Sequence, residues 1–336
     1  MFLLGACQSQ PTVSPSTAPP LVSADATGSL GVVGDAADVS RATLGGTVLM
    51  GGGTDVDAAI KWMITKSGGG DFLILRATGT DAYNAYVFGL GGVNSCETLL
   101  INSRTLANDP QVEAKIRAAE AVFIAGGDQA NYVNFWKDTR VEDALNYLRN
   151  TKQCPIGGTS AGNAIQGRYY YSALNNTITS AAALANPFDP NITIGRNDFL
   201  DNPFLGNTIT DDHFNNPDRR GRLVTFMARM SKDDGIVPRG VGIDEATAVC
   251  IEPSGLGKIF GNGTAFFLQQ NGSSNPPERC VSGSSLDWYR SQRAVQVYKA
   301  AGTATGTNTF NFSTWSGTGG NSQYYFVDRG LFGISF

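Results

Sequence analysis

Thr47-Val48-Leu49-Met50-Gly51-Gly52-Gly53 is the stretch on which the fold turns. Its first four residues read as a strand buried on both faces, and the glycines as a sharp exit into a helix from about Asp55 through Lys66. The same rhythm recurs downstream. Phe72-Leu73-Ile74-Leu75 reads as a second strand and Glu97-Thr98-Leu99-Leu100-Ile101 as a third. Asp109 and Pro110 open a helix to about Glu120, with Val112, Ile116 and Ala119 on one side. Val122-Phe123-Ile124 is a fourth strand, running into Gly126-Gly127. Strand and helix in alternation predict an α/β fold: a mostly parallel sheet covered by helices, with ligands at the carboxyl ends of the strands. After Ala246 the pattern changes to short strand-like runs, Thr247 to Ile251 and Thr264 to Leu268, so a β-rich C-terminal part is expected within one domain over 45–336. Gly51-Gly52-Gly53 reads as a tight turn, because neither the GxxxxGK[ST] nor the GxGxxG spacing is present.

Composition removes several function classes. Of 336 residues, Lys and Arg number 25 and Asp and Glu 29, a net charge of −4 that argues against nucleic acid as partner. Charged residues are only 16% of the chain and glycines number 41, a balance that suits an exported, loop-rich protein. No apolar run reaches the ~20 residues of a membrane span. The chain holds a single histidine, His213, which excludes two-histidine metal sites.

The N-terminal 1–44 reads as a leader and disordered linker. Leu4-Gly5-Ala6-Cys7 resembles a bacterial lipobox, in which Cys7 would carry a lipid anchor after cleavage; a Ser/Thr/Pro/Ala stretch then runs to about Ala26 as a tether. Export follows as an expectation, secreted or membrane-anchored. Cys96, Cys154, Cys250 and Cys280 remain, an even number that allows two disulfides, with Cys250–Cys280 closing a C-terminal loop, or four buried thiols.

Gly157-Gly158-Thr159-Ser160-Ala161-Gly162 carries the strongest chemical signal. Within it Gly-x-Ser-x-Gly is the pattern of a serine on a strand-to-helix turn, with its hydroxyl exposed and the Ala161 N–H beside it. A serine nucleophile needs a base, and His213 is the only imidazole. Gly240-Val241-Gly242-Ile243-Asp244-Glu245 ends an apolar run with two carboxylates, either of which would hold that imidazole in its working tautomer. The order Ser…His…acid differs from that of the α/β-hydrolases.

Four segments together resemble the cyanophycinase family, a group of serine peptidases that also includes aspartyl dipeptidase. They are Gly126-Gly127-Asp128-Gln129, Gly158 to Gly162, Asp211-Asp212-His213-Phe214 with Arg219-x-Gly221-Arg222-Leu223, and Gly242 to Ala248. The resemblance covers roughly Gly45 to Leu268 and implies a flavodoxin-like, class I glutamine amidotransferase-like three-layer sandwich. It implies cleavage of cyanophycin, a poly-aspartate bearing arginine on each β-carboxyl, to β-Asp-Arg dipeptides without metal or cofactor. By position, Ser160 would be the nucleophile, His213 the base and then acid, and Glu245 the orienting carboxylate. Gly127 and Ala161 would supply the oxyanion N–H groups. Asp128, Gln129, Asp211, Asp212, Arg219 and Arg222 would line the substrate groove, the arginines receiving carboxylates and the acids guanidinium groups. Asp212 stands where the family tends to carry glutamine and Pro217 where it tends to carry arginine. Tyr169 to Asn207 reads as an added loop or lid.

Two other functions fit the residues: a related peptidase for other Asp-containing or isopeptide-linked peptides, and a surface-anchored binding protein without turnover. A homodimer is compatible with each.

Overall fold

The structure, a computed structural model, describes residues 23–336. Cys7 and the lipobox-like segment lie outside the described residues. The first strand, β1 (Ser29–Gly34), falls inside the stretch expected as linker. It pairs antiparallel with the strand Ser95–Leu100 (Val32 opposite Glu97, Gly34 opposite Ser95), because Leu30 has a core to enter.

The centre of the first sheet is parallel. It contains β2 (Gly46–Met50), β3 (Asp71–Arg76), β4 (Ser95–Leu100), β5 (Ala121–Ile124) and β6 (Pro155–Thr159), in spatial order β4-β3-β5-β6-β2. Helices α1 (Asp57–Lys66) and α2 (Ala82–Gly89) cover one face, and α3 (Arg104–Ala107), α4 (Pro110–Ala118), α5 (Gln129–Trp136) and α6 (Arg140–Tyr147) the other. This is the three-layer α/β arrangement expected. Val48, Leu49 and Met50 have no exposed surface, which is why β2 reads as an unbroken apolar run. The Asp109 carboxylate accepts from Gln111 N at 2.7 Å and caps α4 as anticipated.

Beyond β6 come α7 (Ala161–Ala164), β7 (Tyr169–Tyr171), α8 (Ser180–Ala185), β8 (Ile194–Arg196), β9 (Thr208–Asp211), α9 (Arg220–Asp234) and β10 (Arg239–Ile243). β11 (Thr247–Ile251) and β12 (Leu256–Gly261) extend the first sheet antiparallel past β2. β13 (Thr264–Gln270) and the strands Val295–Ala301, Asn321–Asp328 and Leu331–Ser335 join β7–β10 in a second sheet, eight-stranded among the described residues, while Thr309–Asn311 and Ser316–Thr318 continue the first beyond β12. The two sheets pack face to face. Leu49, Val249 and Ile259 of the first meet Val241, Ile243 and Phe267 of the second, and Phe267 stacks on Phe310 at 3.8 Å. Helices α8 and α9 close the second sheet's far side. The β-rich C-terminal part is therefore no appendage. Its sheet begins at Tyr169, in the segment read as a loop.

Cys96, Cys154, Cys250 and Cys280 are all buried and free. The expected Cys250–Cys280 bridge is absent for a geometric reason: Cys250 packs under α1, while Cys280 lies in the core of the second sheet.

Candidate active site

The turn that carries Ser160 follows from close packing. β6 ends at Thr159, Ser160 turns with φ 52° and ψ −120°, and α7 starts at Ala161. A Cβ on Gly158 would come within 2.3 Å of Gly162 O, and one on Gly162 within 2.1 Å of Ile124 O. Side chains at either position would push the turn off the sheet, which is the physical content of Gly-x-Ser-x-Gly here. The Ser160 N–H donates to Met50 O at 3.1 Å, tying the turn to the end of β2.

His213 and Glu245 arrive from the second sheet. β9 and β10 are parallel neighbours with Asp211 opposite Gly242, so the residues beyond both carboxyl ends emerge side by side. Ser160 Oγ lies 2.9 Å from His213 Nε2, and His213 Nδ1 lies 2.6 Å from Glu245 Oε1. The carboxylate left open by the sequence is therefore Glu245. Asp244 is engaged elsewhere: its Oδ2 accepts from Asn215 Nδ2 at 2.7 Å and Thr264 N at 3.0 Å, which fastens it to β13, and burial raises its carboxyl above the usual range.

The glycines after β2 do more than turn. Gly51 O accepts from His213 N at 2.8 Å, and Gly52 O from Ala246 N at 3.0 Å, so one short loop holds the backbones of both partners. A Cβ on Gly52, where φ is +93°, would sit 2.4 Å from His213 Nε2; one on Gly53 would sit 3.1 Å from Glu245 Cβ. This role was missed in the sequence, where the uninterrupted triplet was the available signal.

Ala161 and Gly127, expected to donate to an oxyanion, lie in the same turn and at the neighbouring strand end. Ala161 is the first residue of α7, so its N–H has no acceptor within that helix. A Cβ on Gly126 would touch Ser160 Cβ at 3.4 Å, which puts the exit of β5 against the serine, and Gly127 lines the same groove. Tyr132 Oη donates to Ala125 O at 2.7 Å and steadies that exit.

The groove has a volume of about 280 Å³ and is bordered by Ser160, His213 and every residue expected along it except Asp211. The Asp128 carboxylate caps α5 through Ala130 N at 2.9 Å, and Gln129 follows on the wall. Ala173 and Thr177, from the segment read as a lid, form the opposite wall. The arginines are already paired. Arg222 is buried with Nε and Nη2 on the two carboxylate oxygens of Asp211, at 2.8 and 2.5 Å, while its Nη1 reaches Thr177 Oγ1 and Ile178 O. Arg222, expected to receive a substrate carboxylate, does line the groove, and its donors also hold β9, α9 and the 177–178 segment together. Arg219 Nη1 donates to Asp212 Oδ1 at 2.7 Å, but its Nε has no partner among the described residues. Burial, then the adjacent Asp211 carboxylate, push the Asp212 carboxyl above the ordinary range, and Asp212 Oδ1 stands 3.8 Å from His213 Nε2.

Chemically, a hydroxyl, an imidazole and a carboxylate in series suit nucleophilic attack on a carbonyl with proton transfer through the imidazole.

The model of peptidase family S51 matches residues 81–259. The chain is similar to the cyanophycinase of Nostoc sp., 30% identical over 173 residues, which are 52% of this chain and 53% of that protein. The cyanophycinase of Trichormus variabilis gives the same figures, and that of Geminocystis herdmanii is 24% identical over 178 residues, 53% of this chain and 60% of that protein. The match to the Nostoc and Trichormus proteins spans about half their length. Among solved structures, a peptidase from an acI-B1 actinobacterium aligns with a TM-score of 0.48 at 15% identity, over 67% of this chain and 90% of its own. A putative peptidase E protein from Listeria monocytogenes EGD-e aligns with a TM-score of 0.40 at 15% identity, over 65% and 97%.

Proposed function

We propose that this chain, which belongs to peptidase family S51, is a serine peptidase cleaving amide bonds of aspartate-containing polymers, with cyanophycin as substrate and β-Asp-Arg as product. The observation that carries this reading is the unbroken series from Ser160 Oγ through His213 to Glu245 Oε1. In the proposed reaction His213 Nε2 takes the Ser160 proton as Oγ attacks the scissile carbonyl. Gly127 and Ala161 N–H groups donate to the developing oxyanion. The imidazolium, its Nδ1–H held by Glu245, passes the proton to the leaving amine, and water then hydrolyses the acyl-enzyme by the reverse transfers.

The polymer assignment rests on the four motifs and on the similarity to cyanophycinases. A second reading, hydrolysis of other Asp-containing or isopeptide-linked peptides, is favoured by one observation. Asp211 and Asp212 occupy donors of both groove arginines, leaving Arg219 Nη2, which makes no side-chain hydrogen bond among the described residues, and the exposed Asp128 to select a zwitterionic substrate. Incubating purified protein with insoluble cyanophycin and weighing the soluble products by mass spectrometry separates them. β-Asp-Arg release supports the polymer; cleavage of Asp-X dipeptides alone supports the second reading, and turnover of neither removes both. Export is proposed on the low-charge, glycine-rich composition and on the lipobox-like Leu4 to Cys7, and lipidation of Cys7 on that short segment alone.

A further inference from the structure

The segment between β9 and α9 is a wall with two sides. One side gives Asp212, His213 and Arg219 to the groove at Ser160; the other gives Asn215 and Arg220 to a second groove of about 430 Å³. Asn215 is two residues beyond His213, so their backbones stand no more than about 7 Å apart. The floor of the second groove is sheet. Lys299 is aligned with Phe266 on one neighbouring strand and with Asn321 on the other, and Gln323 follows Asn321 on the same face. This is the face that α9 covers, since Phe266 and Val297 share a core with Leu223 and Val224. α9 starts at Arg220, and the strand ends beyond that point line the groove. The whole floor lies past residue 259, where the match to family S51 ends.

Charge in this groove is one-sided. Lys299 lines it, half-buried, and its Nζ makes no ion pair or hydrogen bond among the described residues. No carboxylate lines the groove, and those bonded to its lining groups are engaged: Asp218 holds Arg220 at 2.8 Å, and Asp244 takes Asn215 Nδ2 and Thr264 N. The side-chain amides of Asn321 and Gln323 also make no hydrogen bond among the described residues, although Gln323 is only 3% exposed. A cation and two open amides on a sheet floor suit a carboxylate flanked by peptide groups. We propose that the second groove binds a carboxylate-bearing stretch of the polymer while the scissile bond lies at Ser160, with Lys299 on a carboxylate and the amides of Asn321 and Gln323 on the adjoining peptide groups. This rests on the polymer reading above. A half-buried lysine holds a free carboxylate only weakly, because water competes for both charges. A chain already seated in the first groove presents its next carboxylates at high effective concentration, so the contact counts for a polymer and not for a short fragment.

Calorimetric titration of the Ser160→Ala protein, which keeps both grooves and removes turnover, tests the site with two probes. One is a synthetic soluble oligomer of about six β-Asp-Arg units; the other has two units, the shortest with a bond to cleave. Adding Lys299→Glu should raise the Kd of the long oligomer about fivefold or more and leave that of the short one unchanged. The loss should shrink between about 50 and about 500 mM sodium chloride, as salt screens the charges. If Lys299→Glu does not fold, Asn321→Asp, at an exposed position opposite Lys299, should weaken the long oligomer in the same way. Unchanged binding of the long oligomer, or equal weakening of both probes, overturns the second groove and leaves the polymer reading standing. If the Ser160→Ala protein with Lys299 intact binds neither oligomer, the polymer reading falls and this site with it.

Discussion

Gly52 lies directly against the imidazole of His213: a Cβ there would stand 2.4 Å from Nε2, the atom that faces Ser160 Oγ. The loop after β2 thus sets how closely the two sheets bring their functional groups together. Gly52→Ala would both strain a backbone at φ +93° and displace the ring. Turnover is expected to fall about 100-fold or more, since misplacement of a reacting group by about 1 Å costs that much. Single-turnover rates on the substrate proposed above check this; an unchanged rate would mean that His213 Nε2 has room to spare.

Ser160→Ala and His213→Ala should each lower kcat by on the order of 10⁴-fold or more, with the double variant little worse, because the groups act as a unit. Ser160→Gly separates chemistry from strain. At φ 52° and ψ −120° the serine occupies a conformation suited to glycine, so this variant should be inactive yet more stable by about 1 kcal/mol. Paired activity assays and urea titrations read both effects.

Arg222→Ala leaves the Asp211 carboxylate buried without its partner and should destabilise the fold by about 3–5 kcal/mol. Arg222→Met combined with Asp211→Leu should cost much less than Arg222→Ala alone, as an apolar pair of similar volume leaves no buried charge. Urea titration of the four corners of that cycle measures the coupling. Additive losses would return Arg222 to the role of a free groove cation.

Asp212 gives a pH signature. Its folded-state carboxyl is raised by burial and by Asp211, so the native state binds its proton more tightly than the unfolded chain. Stability from this group is therefore complete below the unfolded value of ~3.9 and is lost as pH rises from there through the folded value. Asp212→Asn should remove that decline, so its stability relative to wild type improves steadily from pH 4 upward. Thermal unfolding of both proteins across pH 4–7 checks the slope; parallel curves would place the raised carboxyl elsewhere.

Much of this molecule was legible in one dimension. The apolar runs of β2 to β5 announce a parallel sheet because such strands are buried on both faces, and Asp109-Pro110 announces a helix start. Gly158 to Gly162 identifies a strand-to-helix turn with Ser160 at its apex, and a lone histidine leaves a single imidazole for it to meet.

Three matters were decided only by tertiary structure. The parallel register of β9 and β10 brings His213 beside Glu245, while Asp244 turns to Asn215 and Thr264; two adjacent carboxylates look alike until a sheet assigns them faces. Asp211 claims Arg222 because both are enclosed between β9 and α9, where a charge must find its partner within reach. Gly51 to Gly53 became a clamp on the site only when the second sheet packed against the first. Local patterns record which face of a strand is apolar. They carry no record of which strand end or helix will meet it, since that depends on how separate elements pack against one another in space.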